Sequence, residues 1–269
     1  MKIRIITGLI LALVLIPLLF VSANVFYVVL GLITLYAAYE IMRVFRHKHD
    51  YSIAWSAYHI IGTGLIYGVF ITYYLGEITS LFIILILFLL LVVSLVWFVF
   101  DDRLNTDMLS KSWLGMFYVA FGFLAISMVR SLGIDLLIYL LILTMATDMF
   151  AYFSGYLFGK HKLAPLISPK KTIEGAIGGT LIAVLIATMY VVFSTLFSDV
   201  SIGIVVVTGI IVSFLAQIGD LVASKIKRAH DVKDFSKLLP GHGGVLDRFD
   251  SSIFAAMALM LVIMILEVF

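Results

Sequence analysis

Uncharged apolar runs of about 20 residues recur along this chain, and they decide its solvent. The segment from Ile78 to Phe100 has no charged side chain. A core helix in water does not need that length, whereas crossing a lipid bilayer does. In lipid the backbone must satisfy its own polar groups, so each such run is expected to be helical. The sequence is 63% hydrophobic and 13% charged, with mean hydropathy +1.19. A soluble domain would be roughly half apolar and about a quarter charged.

Nine spans can be drawn. The first follows Met1-Lys2-Ile3-Arg4 and runs to Ala23. It is too long for a signal-peptide core and has no small-x-small cleavage site, so it reads as retained. The others are Val25–Met42, Ile53–Leu75, Ile78–Phe100, Ser112–Val129, Ile134–Leu157, Ile173–Phe197, Ser201–Ser224 and Ser251–Val268. With a cytoplasmic N-terminus, all but Arg130 of the 18 Lys and Arg fall on the cytoplasmic side. That bias is what the positive-inside rule requires. The turns Gly76-Glu77 and Ser198-Asp199 fall outside. The expected fold is all-α: a polytopic integral membrane protein of about nine transmembrane helices with its N-terminus in the cytoplasm. One transmembrane domain covers residues 1–269, with scaffold helices over 1–133 and catalytic helices and loops over 134–269. A multi-pass protein of the cell's inner membrane is expected, its active site facing the cytoplasm.

Several chemistries are excluded. Without Cys there is no thiol nucleophile or Cys-held metal. Gly155 to His161 resembles a P-loop only superficially. It has three residues between its glycines and a His after the Lys, and it lies in a helical pattern. His242 has no second His nearby, which argues against a His-based zinc site. Nothing in the charge pattern calls for nucleic acid as a partner.

Two polar constellations remain. In the first, Asp148, Tyr152, Gly155 and Gly159 are spaced four, three and four apart, on one helix face. An Asp near the bilayer centre costs about 2.5–3.5 kcal/mol, so Asp148 is expected to face protein or a wet cavity. Ser168, Lys170, Lys171 and Thr172 follow beside Pro169. They can hold phosphate oxygens at the start of the seventh span, where helix N–H groups favour anions. Lysines resting on lipid head groups are the alternative.

The second constellation is Gln217 to Asp250. Gln217, Asp220, Ser224, Lys227 and Arg228 share one face of the eighth span and its extension. His242-Gly243-Gly244 then makes a turn before Asp247, Arg248 and Asp250. Asp220 and Asp247 can offer carboxylates to one hard cation, and Mg²⁺ suits oxygen ligands beside phosphate. Lys227, Arg228 and Lys233 can neutralise the rest of the phosphate charge. The plainer alternatives are an N-cap role for Asp247 or Asp250 and pairing of Asp220 with Lys227 or Arg228. Glu40 reads as snorkelling or pairing with Arg43, and His59 as a packing residue.

At these residues the chain resembles a family. Ser224-Lys-Ile-Lys-Arg228, Lys233-Asp234 and Pro240-Gly-His-Gly-Gly-Val-Leu-Asp-Arg-Phe-Asp250 are similar to the long C-terminal motif of CDP-diacylglycerol synthases, the phosphatidate cytidylyltransferases. Ser168-Pro-Lys-Lys-Thr-Ile-Glu-Gly175 is similar to a second block of that family. The resemblance implies that CTP and phosphatidic acid give CDP-diacylglycerol and pyrophosphate. It implies Mg²⁺, with a potassium ion as a possible neighbour, and it matches Asp220 and Asp247 to the metal-binding acids. Asp148, Ser168, Lys170, Lys171, Lys227, Arg228, His242 and Asp250 match other motif positions. The partners expected are CTP, phosphatidic acid and the bilayer; a homodimer is left open. Two other readings stay open: a CTP-dependent polyprenol or other lipid kinase, and an ion-coupled transporter with intramembrane acids at its coupling sites.

Overall fold

The structure, a computed structural model, describes residues 2–194 and 200–266. The expected end of the seventh span at Phe197, the turn Ser198-Asp199 and the end of the last span at Val268 lie outside them, as do the side chains of Lys2 and Arg4. In chain order the elements are α1 (Lys2–Phe20), α2 (Ala23–Phe45), α3 (Ile53–Tyr74), α4 (Ser80–Phe100), α5 (Thr106–Leu132) and α6 (Ile134–Phe158). A hairpin of β1 (Lys162–Ala164) and β2 (Ser168–Thr172) follows, then α7 (Ile173–Ser194), α8 (Ile202–Ala229) and α9 (Leu246–Leu266). The eight helices α2 to α9 are each long and apolar enough to cross a membrane; the apolar stretch of α1, Ile6–Phe20, is shorter. The protein is an all-α, multi-pass membrane protein whose β-structure, among the described residues, is one small hairpin and an isolated bridge.

Three differences from the sequence expectation bear on the polar loops, each for a local reason. The polar loop expected through Lys111 is already helical from Thr106. Asn105 starts that helix by accepting the Met108 N–H on Oδ1 at 2.8 Å. The loop expected from Gly159 to Lys171 contains the antiparallel hairpin, with Lys162 opposite Thr172 and Ala164 opposite Ser168. Such short polar strands carry no apolar alternation to read. Helix α9 begins at Leu246 instead of Ser251, so Asp247 and Asp250 lie in its first turns.

Contacts divide the chain into two units. The first is Met1–Ser127 with His230–Asp247. Its α2 buries Ala37, Ala38, Ile41, Val44 and Phe45, one apolar face at helical spacing. Trp55, Ile66 and Met116 are also fully buried. Tyr67 donates its hydroxyl hydrogen to the Tyr27 carbonyl at 2.9 Å and lies 2.8 Å from Ser127 Oγ. His59 is buried with Nδ1 3.0 Å from Ser112 Oγ, as its reading as a packing residue expects.

The second unit is Met128–Ala229 with Arg248–Phe269. Its helices α6 and α7 approach closely because they meet at glycines. A Cβ at Gly175 would stand 2.6 Å from the Ala151 carbonyl, and one at Gly179 2.7 Å from the Thr147 carbonyl. Hydroxyls then tie α6, α7 and α8 together. Thr147 and Ser213 are 2.7 Å apart, Ser213 donates to Thr180 at 3.0 Å, and Gln217 Nε2 donates to Thr180 at 2.9 Å. Gly219 brings α8 against α9, since a Cβ there would lie 2.7 Å from the Asp250 carbonyl.

Candidate active site

In the second unit a cleft of about 560 Å³ opens between α6, the hairpin and α8. That volume suits a nucleotide-sized ligand. Asp148, Tyr152, Gly155 and Gly159 all line it, as one helix face should. Lys170, Lys171 and Thr172 reach it from β2, and Gln217 and Asp220 from α8. The two polar constellations, far apart in sequence, therefore meet here. Lys171 Nζ forms an ion pair with Asp220 Oδ2. Asp220 thus has as a partner a lysine of the other constellation. One helical turn along α8, Ser224 Oγ donates to Asp220 Oδ1 at 3.3 Å.

Around this pair stand two further carboxylates. Asp148 Oδ2 accepts from Ser251 Oγ at 3.3 Å, and Asp250 Oδ1 accepts its neighbour's backbone N–H, from Ser251, at 2.8 Å. Asp220 acts electrostatically on both, together with Lys171 and Arg248 at Asp148 and Lys227 at Asp250. Lys227 is buried and Arg228 exposed, both in the last turn of α8, where cations also complement the helix dipole. Ser168 is half-buried at the start of β2, and neither it nor Arg228 lines the cleft.

The hairpin is held to α7 by a residue that sequence reasoning did not single out. Glu174 accepts the backbone N–H groups of Lys160 at 3.1 Å and His161 at 3.2 Å, and contacts His161 Nδ1 at 2.6 Å. The Thr172 hydroxyl caps α7 by accepting from Gly175 N at 3.1 Å. One N–H at that helix start is therefore satisfied internally, and phosphate recognition falls more to the lysines. Lys162 was likewise read only as a cytoplasmic charge and Arg248 only as a neighbour of Asp247 and Asp250, although Lys162 lines the cleft and Arg248 acts on Asp148.

The other expected site residues, Lys233, His242 and Asp247, belong to the first unit. There the segment from His230 to Asp247 is held at several points. At its start, Lys48 Nζ lies 2.6 Å from Asp231 Oδ2, and this hydrogen bond keeps the exposed Asp231 carboxyl below its ordinary range. In its middle, Thr7 donates to the Pro240 carbonyl at 3.0 Å, and His242 packs near Gly8. Lys233 is exposed. At its end, Asp247 Oδ2 accepts two backbone N–H groups, from Phe235 and Gly244, each at 2.8 Å. Glu40 is completely buried and accepts from Ser236 Oγ at 2.6 Å, Val245 N at 2.9 Å and Leu246 N at 2.7 Å. Its expected pairing with Arg43 is absent among the described residues. Its position on the buried face with Ala37, Ile41 and Val44 was the available sign of an inward-facing acid.

As for a metal, no group of three or more His, Asp or Glu among the described residues is placed to hold one. The donor chemistry around Asp220 fits Mg²⁺ in its other common manner, one or two carboxylates completed by water and substrate phosphate.

Fold and cleft define a polytopic membrane protein with a cleft lined by carboxylates and lysines. Over residues 2–266 the chain matches the model of the cytidylyltransferase family, and it belongs to that family. It is 47% identical over 137 residues to a phosphatidate cytidylyltransferase of Staphylococcus haemolyticus, a stretch that is 51% of this chain and 52% of the relative. A protein of the same name from Staphylococcus saprophyticus is 41% identical over 137 residues, with the same coverage. One from Staphylococcus aureus is 43% identical over 141 residues, again 51% of this chain and 52% of the relative. The matches thus span about half the length of these curated relatives.

Proposed function

We propose that the chain transfers the cytidylyl group of CTP to phosphatidic acid, giving CDP-diacylglycerol and pyrophosphate. The observation that carries this reading is the Lys171–Asp220 pair in a nucleotide-sized cleft, with Lys170 beside it. Family membership and the relatives' names support the choice of substrates. An oxygen of the phosphatidate phosphate forms a bond to the α-phosphorus of CTP, and the bond from that phosphorus to the bridging oxygen of the β-phosphate breaks. The electron pair leaves with pyrophosphate. The attacking oxygen is already ionised, so no general base is required, and positioning and charge stabilisation account for the rate.

Lys170 and Lys171 hold phosphate oxygens in this proposal, and Lys171 exchanges Asp220 for substrate when CTP enters. Lys227 and Arg248 offset the charge of Asp250 and Asp148. Mg²⁺, when bound, neutralises charge on the nucleotide phosphates, with Asp220 as its holder in the cleft. The resemblance assigns Asp247 to metal as well, and a separate variant tests that. Potassium as a neighbouring cation stays part of the proposal. The active site faces the cytoplasm of a cell whose inner membrane holds the protein, a placement supported by the basic residues gathered at one end of the spans.

Purified protein in detergent, given phosphatidic acid, Mg²⁺ and CTP labelled either on the α- or the γ-phosphate, tests the reaction. The α-label should enter the lipid and the γ-label should leave as pyrophosphate. Appearance of the γ-label in lipid would make the protein a lipid kinase and overturn the proposal.

A further inference from the structure

The buried carboxylate of Glu40 has no task in the chemistry above, and its surroundings suggest one. All three of its hydrogen-bond partners are donors, and all belong to the segment between His230 and the start of α9: Ser236 Oγ, Val245 N and Leu246 N. The first N–H groups of any helix lack partners within it. At α9 they are met by a side chain more than two hundred residues earlier, at a sequence separation of 206 for Leu246. Next to them, Asp247 takes Gly244 N. Two carboxylates thus hold three consecutive backbone N–H groups, of residues 244 to 246.

The glycine pair follows from the same arrangement. Gly243 has φ +83°, and a Cβ there would stand 2.7 Å from Asp247 Oδ2. A Cβ at Gly244 would run into the Glu40 carboxylate, 2.8 Å from its Cδ. Gly243 therefore makes the turn, whereas Gly244 makes room for Glu40. Of the residues in this segment, Lys233 is exposed and His242 has Nδ1 buried without a hydrogen-bond partner among the described residues.

We propose that Glu40 is a positioning residue: it clamps the segment from Ser236 to Leu246 and so fixes where His242 and the adjoining Asp247 stand for the reaction. What the segment does chemically rests on the cytidylyl-transfer reading; that it is clamped does not.

The test uses the full-length protein in detergent and the variants Ser236→Ala, Gly244→Ala, Glu40→Ala and Glu40→Ala with Gly244→Ala. Ser236→Ala removes the hydrogen bond to Glu40 and the one its hydroxyl accepts from Leu238 N but keeps the core, so it guards against loss of folding. Trypsin cleavage after Lys237 reads the clamp, because cleavage tracks the population of the opened segment. Lys162, exposed in the hairpin, is the internal control. Cleavage after Lys237 should rise about tenfold in Gly244→Ala and several-fold in Ser236→Ala, with cleavage after Lys162 unchanged. Because the three atoms nearest the added methyl all belong to Glu40, Gly244→Ala should add little in the Glu40→Ala background. Additive effects of the two would overturn the clamp.

The positioning role is read by a KM-against-kcat split. The KM for CTP should rise about fivefold or more in Gly244→Ala and Ser236→Ala; a loss of turnover with unchanged KM would reduce Glu40 to a purely structural residue. If wild-type protein transfers no cytidylyl group, the functional reading fails, while the trypsin result still decides the clamp.

Discussion

Both units carry acids in helices that are otherwise apolar, but they satisfy them differently. In the first unit, Glu40 and Asp247 are met by backbone N–H groups and a serine. In the second, Asp220 and Asp148 are met by a lysine and by serine hydroxyls, and they face a cleft. Backbone donors cannot be exchanged without moving the chain, so a carboxylate bound to them holds shape. A lysine or serine side chain can swing to another anion, so a carboxylate bound to these is available for chemistry. An acid in a membrane helix is a functional candidate by default, and the identity of its donors separates the two uses.

The sharpest way to break this contrast is to neutralise one acid of each kind. Asp220→Asn should lower phosphatidate-dependent CDP-lipid formation by about 10²–10³-fold, the scale of removing one preorganised charge-stabilising group. Its melting temperature should change little, because only the Lys171 pair and a long serine bond are affected. Asp247→Asn should instead lose about 1–2 kcal/mol of stability, as two charge-assisted bonds to backbone N–H become neutral ones. Thermal unfolding of both variants, with Mg²⁺ titrations of activity, separates the outcomes. A shift in Mg²⁺ dependence in Asp247→Asn as large as in Asp220→Asn would show that Asp247 serves metal and shape together. A fall in stability in Asp220→Asn equal to that in Asp247→Asn would end the distinction.

The glycines sharpen the comparison at somewhat smaller scale. Gly175→Ala places a methyl against the Ala151 carbonyl, a backbone atom that cannot turn away. About 1–3 kcal/mol of destabilisation is expected, and the CTP KM should rise because α7 carries the Lys171 end of the hairpin. In the first unit, a Cβ at Gly68 of α3 meets nothing within 4 Å. Gly68→Ala should therefore leave stability unchanged or raise it by up to about 1 kcal/mol through helix propensity. Calorimetry of the pair decides; equal losses would mean that the α6–α7 contact is not set by its glycines.

Much of this was legible because lipid leaves few options. Apolar length marked the helices, and the spacing of Asp148, Tyr152, Gly155 and Gly159 put them on one face of the cleft. The meeting of Lys171 with Asp220 was not legible, since helical spacing relates residues within an element and is silent on which lysine crosses to which acid. The hairpin was hidden because its strands are too short and polar to alternate. Glu40 was misread because Arg43, one turn away, supplied an obvious local partner, whereas its real partners lie in the segment before α9. Its seat among Ala37, Ile41 and Val44 was the stronger signal, since a carboxylate on the buried face must find donors from elsewhere.

The smallest effect is expected at the start of the same segment. Asp231 and Lys48 form a close pair, but both are exposed. Lys48 hydrogen-bonds the ionised form of Asp231 and so depresses its pKa in the folded protein. A depressed value contributes stability that is present above the unfolded-state pKa and is lost as pH falls through the folded one. The window therefore lies below about pH 4, near and under the ordinary aspartate value. At neutral pH, solvent screens the pair, so Lys48→Ala should move the melting temperature by less than about 1 °C. Melting curves of wild type and Lys48→Ala should thus differ by no more than that at pH 7 and coincide below the window, where protonation removes the pair from wild type as well. A drop at pH 7 as large as that of Asp247→Asn would mean that the segment is pinned from its charged surface end, and that the buried carboxylates do not set its shape alone.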